Sequence, residues 1–203
     1  MPSPISADRT DDSFGVVAVA ASAGGIHALV TVLGGLGADL PVPVLVVQHL
    51  DPHHRTVLAD ILDRRTALHV KLAEAGERAR PGTVHIAPPD RHLLAGRDGT
   101  LGLSLGDRVH FLRPSADPLF ESVADAYGAR AVAVVLSGTG SDGAKGVDAV
   151  KAQGGTVIAQ DPETAEFTGM PEAAVGTGAV DFVLPLEEIS AAIRGLVDTR
   201  GSR

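Results

Sequence analysis

The 203-residue sequence predicts an α/β fold: a doubly wound, mostly parallel sheet flanked by helices, with a β-hairpin excursion in the middle. Three observations carry that expectation. Continuous apolar runs such as Val16-Val17-Ala18-Val19-Ala20 match strands buried on both faces, as parallel sheets require. Segments with apolar residues at helical spacing follow these runs, so strand and helix alternate. Short glycine-rich turns stand where a strand gives way to a helix.

Taken in order, residues 1–13 form a polar tail, rich in Pro, Ser and Asp, that lacks the charged start and apolar core of a secretory signal. Ordered structure is expected from Phe14. Residues 16–20 make the first strand, Ser22-Ala23-Gly24-Gly25 the turn, and Ile26, Leu29, Val30 and Leu33 one face of a helix closed by Gly34-Gly35. Pro41 precedes a second apolar run over residues 42–47, which ends in Gln48-His49. Asp51-Pro52 then turns the chain before Val57, Leu58, Ile61 and Leu62 on the next helix face. Residues 71–105 contain many Gly and Pro and short alternating segments, among them Val84-His85-Ile86, and read as β-hairpins decorating the sheet. A helix is expected over residues 118–127, a strand over 131–136, a loop over 137–143 and a helix over 144–153. Short strands follow at 156–159 and 182–184, then a closing helix over 186–197 and a tail from 198. The expectation is one Rossmann-like domain over residues 14–197, in which ligands bind beyond the carboxyl ends of the strands. That rule selects the loops at 22–25, 49–52 and 137–143.

Composition removes several functional classes. A net charge of −8 opposes a phosphate backbone, and 3% aromatic residues leave few platforms for stacking bases, so nucleic acid is not an expected partner. The chain has no cysteine, which excludes disulfides, thiolate metal sites and a thiol nucleophile. No apolar stretch approaches the ~20 residues that span a bilayer. A cytoplasmic enzyme without metal or other cofactor is the expectation.

Within the selected loops, Ala20-Ala21-Ser22-Ala23-Gly24 resembles the G-x-S-x-G turn that exposes a nucleophilic serine at a strand-to-helix junction. When that turn is taken alone, capping of the following helix, or phosphate cradling, explains it better than catalysis does. His49 ends the second strand, within reach of Ser22 as a general base, and His27 on the first helix is its local rival. His53, His54, His69, His85 and His110 have no such position. Asp142 could orient the imidazole, Asp51 is the other candidate, and a cap on the helix from Ala144 is the bland role of Asp142. Residues 138–143 also spell G-x-G-x-x-G, with Asp161 about 20 residues after the motif opens, as in dinucleotide-binding sites. Against that reading, Asp142 would set a negative charge beside the pyrophosphate.

Six ordered segments then carry a family resemblance: Ala20-Ala21-Ser22-Ala23-Gly24-Gly25, Val47-Gln48-His49-Leu50, Ala87-Pro88-Pro89-Asp90-Arg91-His92, Arg113 through Phe120, Leu136 through Ala144, and Gly169-Met170-Pro171. Together they closely resemble the catalytic domain of the chemotaxis protein-glutamate methylesterases of the CheB type. The resemblance implies Ser22 as nucleophile, His49 as general base and acid, and Asp142 as orienting carboxylate. It also implies an oxyanion site built on the backbone N–H of Thr139 together with that of Ala23, lined by Gly24, Gly25, Gln48, Gly138, Gly140 and Met170. The implied substrate is a γ-glutamyl methyl ester on the cytoplasmic helices of a chemoreceptor, with glutamine deamidation as a second activity.

Two departures stand out. Ala23 and Thr139 replace the Thr and Met usual in the family, and the segment before Phe14 is far shorter than the receiver domain of about 100 residues that normally precedes this domain. A separate response-regulator protein is therefore an expected partner. A non-catalytic nucleotide- or receptor-binding module of the same fold, and an esterase with another substrate, are the alternative readings.

Overall fold

The structure, a computed structural model, describes residues 15–49 and 56–199. The expectations for the 1–13 tail, Phe14, Leu50, Asp51, Pro52, His53 and His54, and for residues 200–203, lie outside the described residues.

Seven parallel strands form one sheet, in the order β3-β4-β2-β1-β7-β8-β9. They are β1 (Val16–Ala21), β2 (Val44–Gln48), β3 (His69–Leu72), β4 (Thr83–Ile86), β7 (Ala131–Val135), β8 (Thr156–Gln160) and β9 (Phe182–Leu184). A separate antiparallel hairpin joins β5 (His92–Ala95) to β6 (Leu101–Ser104). The central strand β1 pairs on one side with β2, Val17 opposite Val44, and on the other with β7, Val16 opposite Ala131.

The apolar run of β1 reflects two cores. Val17, Val19 and Ala21 face α1 (Gly25–Gly34), α2 (Leu58–Asp63) and α6 (Leu186–Thr199), meeting Leu29, Leu62 and Ile193 among others. Val16, Ala18 and Ala20 face α3 (Ala116–Tyr127), α4 (Ala144–Ala152) and α5 (Gly169–Gly176), meeting Phe120, Val147 and Met170. Each fully buried aliphatic side chain contributes roughly 1.5–3 kcal/mol, and a one-residue slip would exchange the two faces, so these alternating residues fix the register.

Two parts of the sequence reading need correction. Residues 71–105 are not all hairpin, because β3 and β4 add to the parallel sheet and only β5-β6 stands apart. The edge strand β3 has His69 exposed and only Val70 buried, and β4 carries Thr83 and His85, so neither shows the apolar run of a central strand. Helix α5 was not anticipated. Its Pro171 lies in the first turn, where a missing N–H costs no helical bond. Helix α6 continues two residues past the expected end, to Thr199. Among the described residues no helix is long and apolar enough to cross a membrane.

The chain order reverses around β1: the chain steps to β2, passes to the edge strand β3, comes back to β4 between them, and then crosses to β7 on the other side of β1. The carboxyl ends of β1, β2 and β7 therefore open onto one crevice, the usual ligand position in an open parallel sheet.

Candidate active site

Ser22 is the first residue after β1, in a turn that reverses through Gly24 at φ 70°, a left-handed conformation that favours glycine. A Cβ on Gly24 would lie 2.8 Å from Ser137 Oγ and 2.9 Å from Glu166 Oε2, so space and dihedral both require the residue that is present. The turn is tied to its neighbour strand: the Ser22 N–H donates to the Ser137 carbonyl (2.9 Å), and the Ser137 hydroxyl donates to the Ala23 carbonyl (2.9 Å). Helix α1 has no side-chain cap, so Ser22 does not serve as one.

The Ser22 Oγ lies 2.8 Å from His49 Nδ1, and His49 Nε2 lies 2.7 Å from Asp142 Oδ2. An ionised carboxylate can only accept, so Nε2 carries the hydrogen toward Asp142 and Nδ1 offers its lone pair to the Ser22 hydroxyl. This tautomer is the one a general base needs. The rival His27 is exposed and lines the same cleft, but it is His49 that meets Ser22.

Asp142 is buried and receives four hydrogen bonds. Oδ2 accepts from His49 Nε2 and from the Ala116 N–H (2.7 Å), and Oδ1 accepts from the Ser115 hydroxyl (2.6 Å) and the Asp117 N–H (3.3 Å). Burial pushes its carboxyl up, but the donors from His49, Ala116 and Ser115 outweigh it and hold Asp142 below the usual carboxylate range. Its capping partner is thus α3, whose first turn supplies the N–H groups, and not the helix at Ala144 that the sequence suggested. Ser115 is fixed in turn by His92, whose Nδ1 accepts the Ser115 N–H (3.2 Å) while its Nε2–H donates to the Asp107 carbonyl (2.9 Å). Ser115, His92 and Ser137 were not singled out as site residues, since their contacts to the site join residues 23 to 115 positions apart and leave no local pattern.

Gln48 clamps nucleophile to base. Its Nε2–H₂ donates to the Ser22 carbonyl (2.9 Å) and the His49 carbonyl (3.2 Å), while Oε1 is buried without a partner against Gly25, where a Cβ would lie 2.2 Å away. Gln48→Leu removes the side-chain donor of the His49 carbonyl and one of the two donors of the Ser22 carbonyl, which keeps the Gly25 N–H (2.8 Å), and is expected to destabilise by about 1–3 kcal/mol. It should also lower ester turnover roughly tenfold through the loosened Ser22–His49 geometry. Urea midpoints and steady-state kinetics on the variant check both, and an unchanged midpoint would refute the clamp.

Ser22, Gly24, Gly25, Ile26, His27, Gln48 and Glu166 enclose a cleft of about 330 Å³. Gly138 borders Ser22 from the β7 side: a Cβ there would lie 2.9 Å from Ser22 Cβ and 2.2 Å from Met170 Sδ. Met170 is buried behind it and its N–H holds the Gly138 carbonyl (2.8 Å). Gly140 packs on Gly169, and Thr139 and Gly140 are exposed on the loop crest.

The dinucleotide pattern finds no support in the fold: Asp142 turns beneath the loop onto α3, and Asp161 caps a short turn at residues 162–164 by accepting the Glu163 N–H (3.0 Å). Among the described residues, His110, Asp117 and Asp142 are the one group of potential metal ligands within 4.8 Å of one another. Their oxygens already face donors, those of Asp117 taking the Gly146 N–H (2.8 Å) and His110 Nε2 (3.1 Å).

Comparisons with known proteins give the family. The family model for CheB methylesterase matches residues 17–193. A protein-glutamate methylesterase/protein-glutamine glutaminase of Moorella thermoacetica is 45% identical over 191 residues, covering 92% of this chain and 45% of that one. A second such protein, from Anaeromyxobacter dehalogenans, is 46% identical over 181 residues, covering 89% and 53%. This chain therefore spans about half the length of those two relatives, whereas it covers 92% of a Leptospira interrogans chain that is 39% identical over 178 residues. The crystal structure of the Thermotoga maritima CheB methylesterase catalytic domain superimposes with a TM-score of 0.87 at 39% identity, over 91% of this chain and 100% of that one. On the match across residues 17–193 and these relatives, this chain belongs to the CheB methylesterase family.

Proposed function

We propose that this chain hydrolyses γ-glutamyl methyl esters on the cytoplasmic helices of methylated chemoreceptors, releasing methanol, and deamidates glutamine side chains at the same site. The observation that carries the reading is the unbroken chain of hydrogen bonds from Ser22 Oγ through His49 to Asp142 at the sheet's reversal point. In the proposed cycle His49 Nδ1 takes the Ser22 proton as Oγ attacks the ester carbonyl carbon. Asp142 stabilises the imidazolium through Nε2. The tetrahedral oxyanion is assigned to the backbone N–H groups of Thr139 and Ala23, and Gly138 permits that approach because a side chain there would strike Ser22. The imidazolium then returns its proton to the departing methoxide. Water, activated by His49, splits the glutamyl-serine ester to give the glutamate carboxylate and free Ser22. For a glutamine substrate the leaving group is ammonia.

A cytoplasmic setting, and control by a separate response-regulator protein, belong to the same proposal. The test is methanol release from a receptor cytoplasmic fragment whose glutamyl side chains carry isotopically labelled methyl esters. Time-dependent release is expected, and a folded enzyme that releases none rejects the reading.

A further inference from the structure

Beside the triad, the segment from Leu105 to Arg113 ends in an unusually tight turn. Val109 and Leu112 pair antiparallel, the Val109 N–H donating to the Leu112 carbonyl (3.1 Å) and the Leu112 N–H to the Val109 carbonyl (2.8 Å). The two residues between them, His110 (φ 52°) and Phe111 (φ 64°), are both left-handed. Such two-residue turns are normally Asn-Gly or Gly-Gly, because a side chain with a Cβ is disfavoured there. A phenylalanine at that position is strained, and it gains no burial in return: Phe111 is 91% exposed.

The turn is also braced. Arg113 Nη1 donates to the carbonyls of Leu105 and Gly106 (both 2.9 Å), its Nε and Nη2 grip Asp90 Oδ1 (3.0 and 2.8 Å), and His110 Nε2 donates to Asp117 Oδ2 (3.1 Å). A strained, uncovered aromatic on a braced support points to a surface kept for a partner.

Its position says which partner. A ring nitrogen of His110 lies within 4.8 Å of an Asp142 carboxylate oxygen, and Asp142 holds His49, so the turn rises directly beside the triad. In the cleft itself, Ile26 (45% exposed) stands with Ser22. An exposed apolar side chain thus lies beside the reacting serine, and Phe111 crowns the turn next to the carboxylate that holds His49. Around the turn, the guanidiniums of Arg91, Arg108 and Arg113 lie within 4 Å of Asp90, and Asp107 is the one further acid of the 105–113 segment. With Asp117 beneath His110, three guanidiniums meet three carboxylates, so the turn's support is charge-balanced and its exposed feature is the Phe111 ring.

We propose that Phe111 is the anchor for a helical protein substrate, seating in the apolar stripe beside the glutamyl side chain that reaches Ser22. This rests on the receptor reading of the site. An amphipathic helix offers both features at once, apolar residues at i, i+3 and i+4 and glutamyl groups on the adjoining face, and anchors of this kind are commonly aromatic. A small ester carries no such stripe, so its hydrolysis is expected to be independent of Phe111.

The test compares wild type with Phe111→Ala and Phe111→Asn on two substrates, a methylated receptor cytoplasmic fragment and p-nitrophenyl acetate. The ratio of kcat/KM on the fragment to that on the small ester is expected to fall roughly tenfold or more in both variants, through KM. Phe111→Asn, which tolerates left-handed backbone, should at the same time raise Tm by about 2–4 °C. An unchanged ratio, or a lowered Tm in both variants, overturns the anchor in favour of a structural role. Dimerisation of the wild type that is lost in Phe111→Ala would give the surface to a second copy and overturn it equally. No methanol from the wild-type enzyme, with acetate hydrolysis intact, rejects the receptor reading and this proposal with it.

Discussion

Replacing Ser22 with Ala lowers methanol release from a methylated receptor fragment by on the order of 10⁴–10⁶-fold and leaves the fold as stable as before. The size follows from what the hydroxyl does. No cysteine exists to substitute as nucleophile, and the Ser22 hydroxyl is the group that His49 Nδ1 meets, at 2.8 Å. The small effect on stability follows from what the hydroxyl does not do. Helix α1 draws no cap from it, the Ser22 N–H and carbonyl keep their bonds to Ser137 and Gln48, and the one bond lost is to a partly accessible histidine ring. A Tm within about 2 °C of wild type beside a collapsed kcat is the expected pair of results. Residual release within tenfold of wild type would remove Ser22 from the mechanism.

The legibility of this site in the sequence was uneven, for physical reasons. β1, β2 and β7 lie in the sheet centre, buried on both faces, and so they appear as continuous apolar runs whose carboxyl ends can be located to a residue. Ser22, His49 and the 137–143 loop fall directly after those ends, which is why topology alone could bring them together. β3 and β4 are short and carry polar residues, and the same argument misread them as hairpin. The supports of Asp142 were hidden for a different reason. Ser115 and the α3 N-terminus approach it only because α3 packs across β1 against α4, with Phe120 fully buried there. A carboxylate near a helix start in sequence was read as that helix's cap, whereas in space it serves another. The family resemblance did include Ser115 and Asp117, but it could not say that Asp142 accepts from the Ser115 hydroxyl and the Asp117 N–H.

That arrangement sets the outcome for Asp142→Asn. The amide must place one NH₂ where an oxygen now accepts. Directed at the Oδ2 position, it would meet two donors, the Ala116 N–H and His49 Nε2–H, at 2.7 Å each, and leave both buried without an acceptor. Directed at the Oδ1 position, it meets the Ser115 hydroxyl, which can rotate to accept, and only a long 3.3 Å contact from the Asp117 N–H. The second orientation is favoured by the cost of an unmatched buried donor, about 1–3 kcal/mol each. The amide oxygen then keeps His49 in its working tautomer, and the variant loses the negative charge opposite the imidazolium rather than the alignment. A fall in kcat of about 10²–10⁴ is expected, smaller than for Ser22→Ala and no larger than when an amide forces the wrong tautomer, about 10⁴. Stability should fall as well, by about 1–3 kcal/mol at pH 7, because the charge faces the first turn of α3. Its pH dependence has a definite sign. The Asp142 pKa is depressed in the folded state: burial raises it, but the His49, Ala116 and Ser115 donors outweigh that. The carboxylate's contribution is therefore present above the ordinary value near 3.9 and is lost as pH falls through the lower folded value. Thermal melts of wild type and Asp142→Asn should consequently converge on acidification below about pH 4. Curves that diverge there would mean that Asp142 stabilises the fold through its protonated form, and the role assigned to it at both His49 and α3 would fail together.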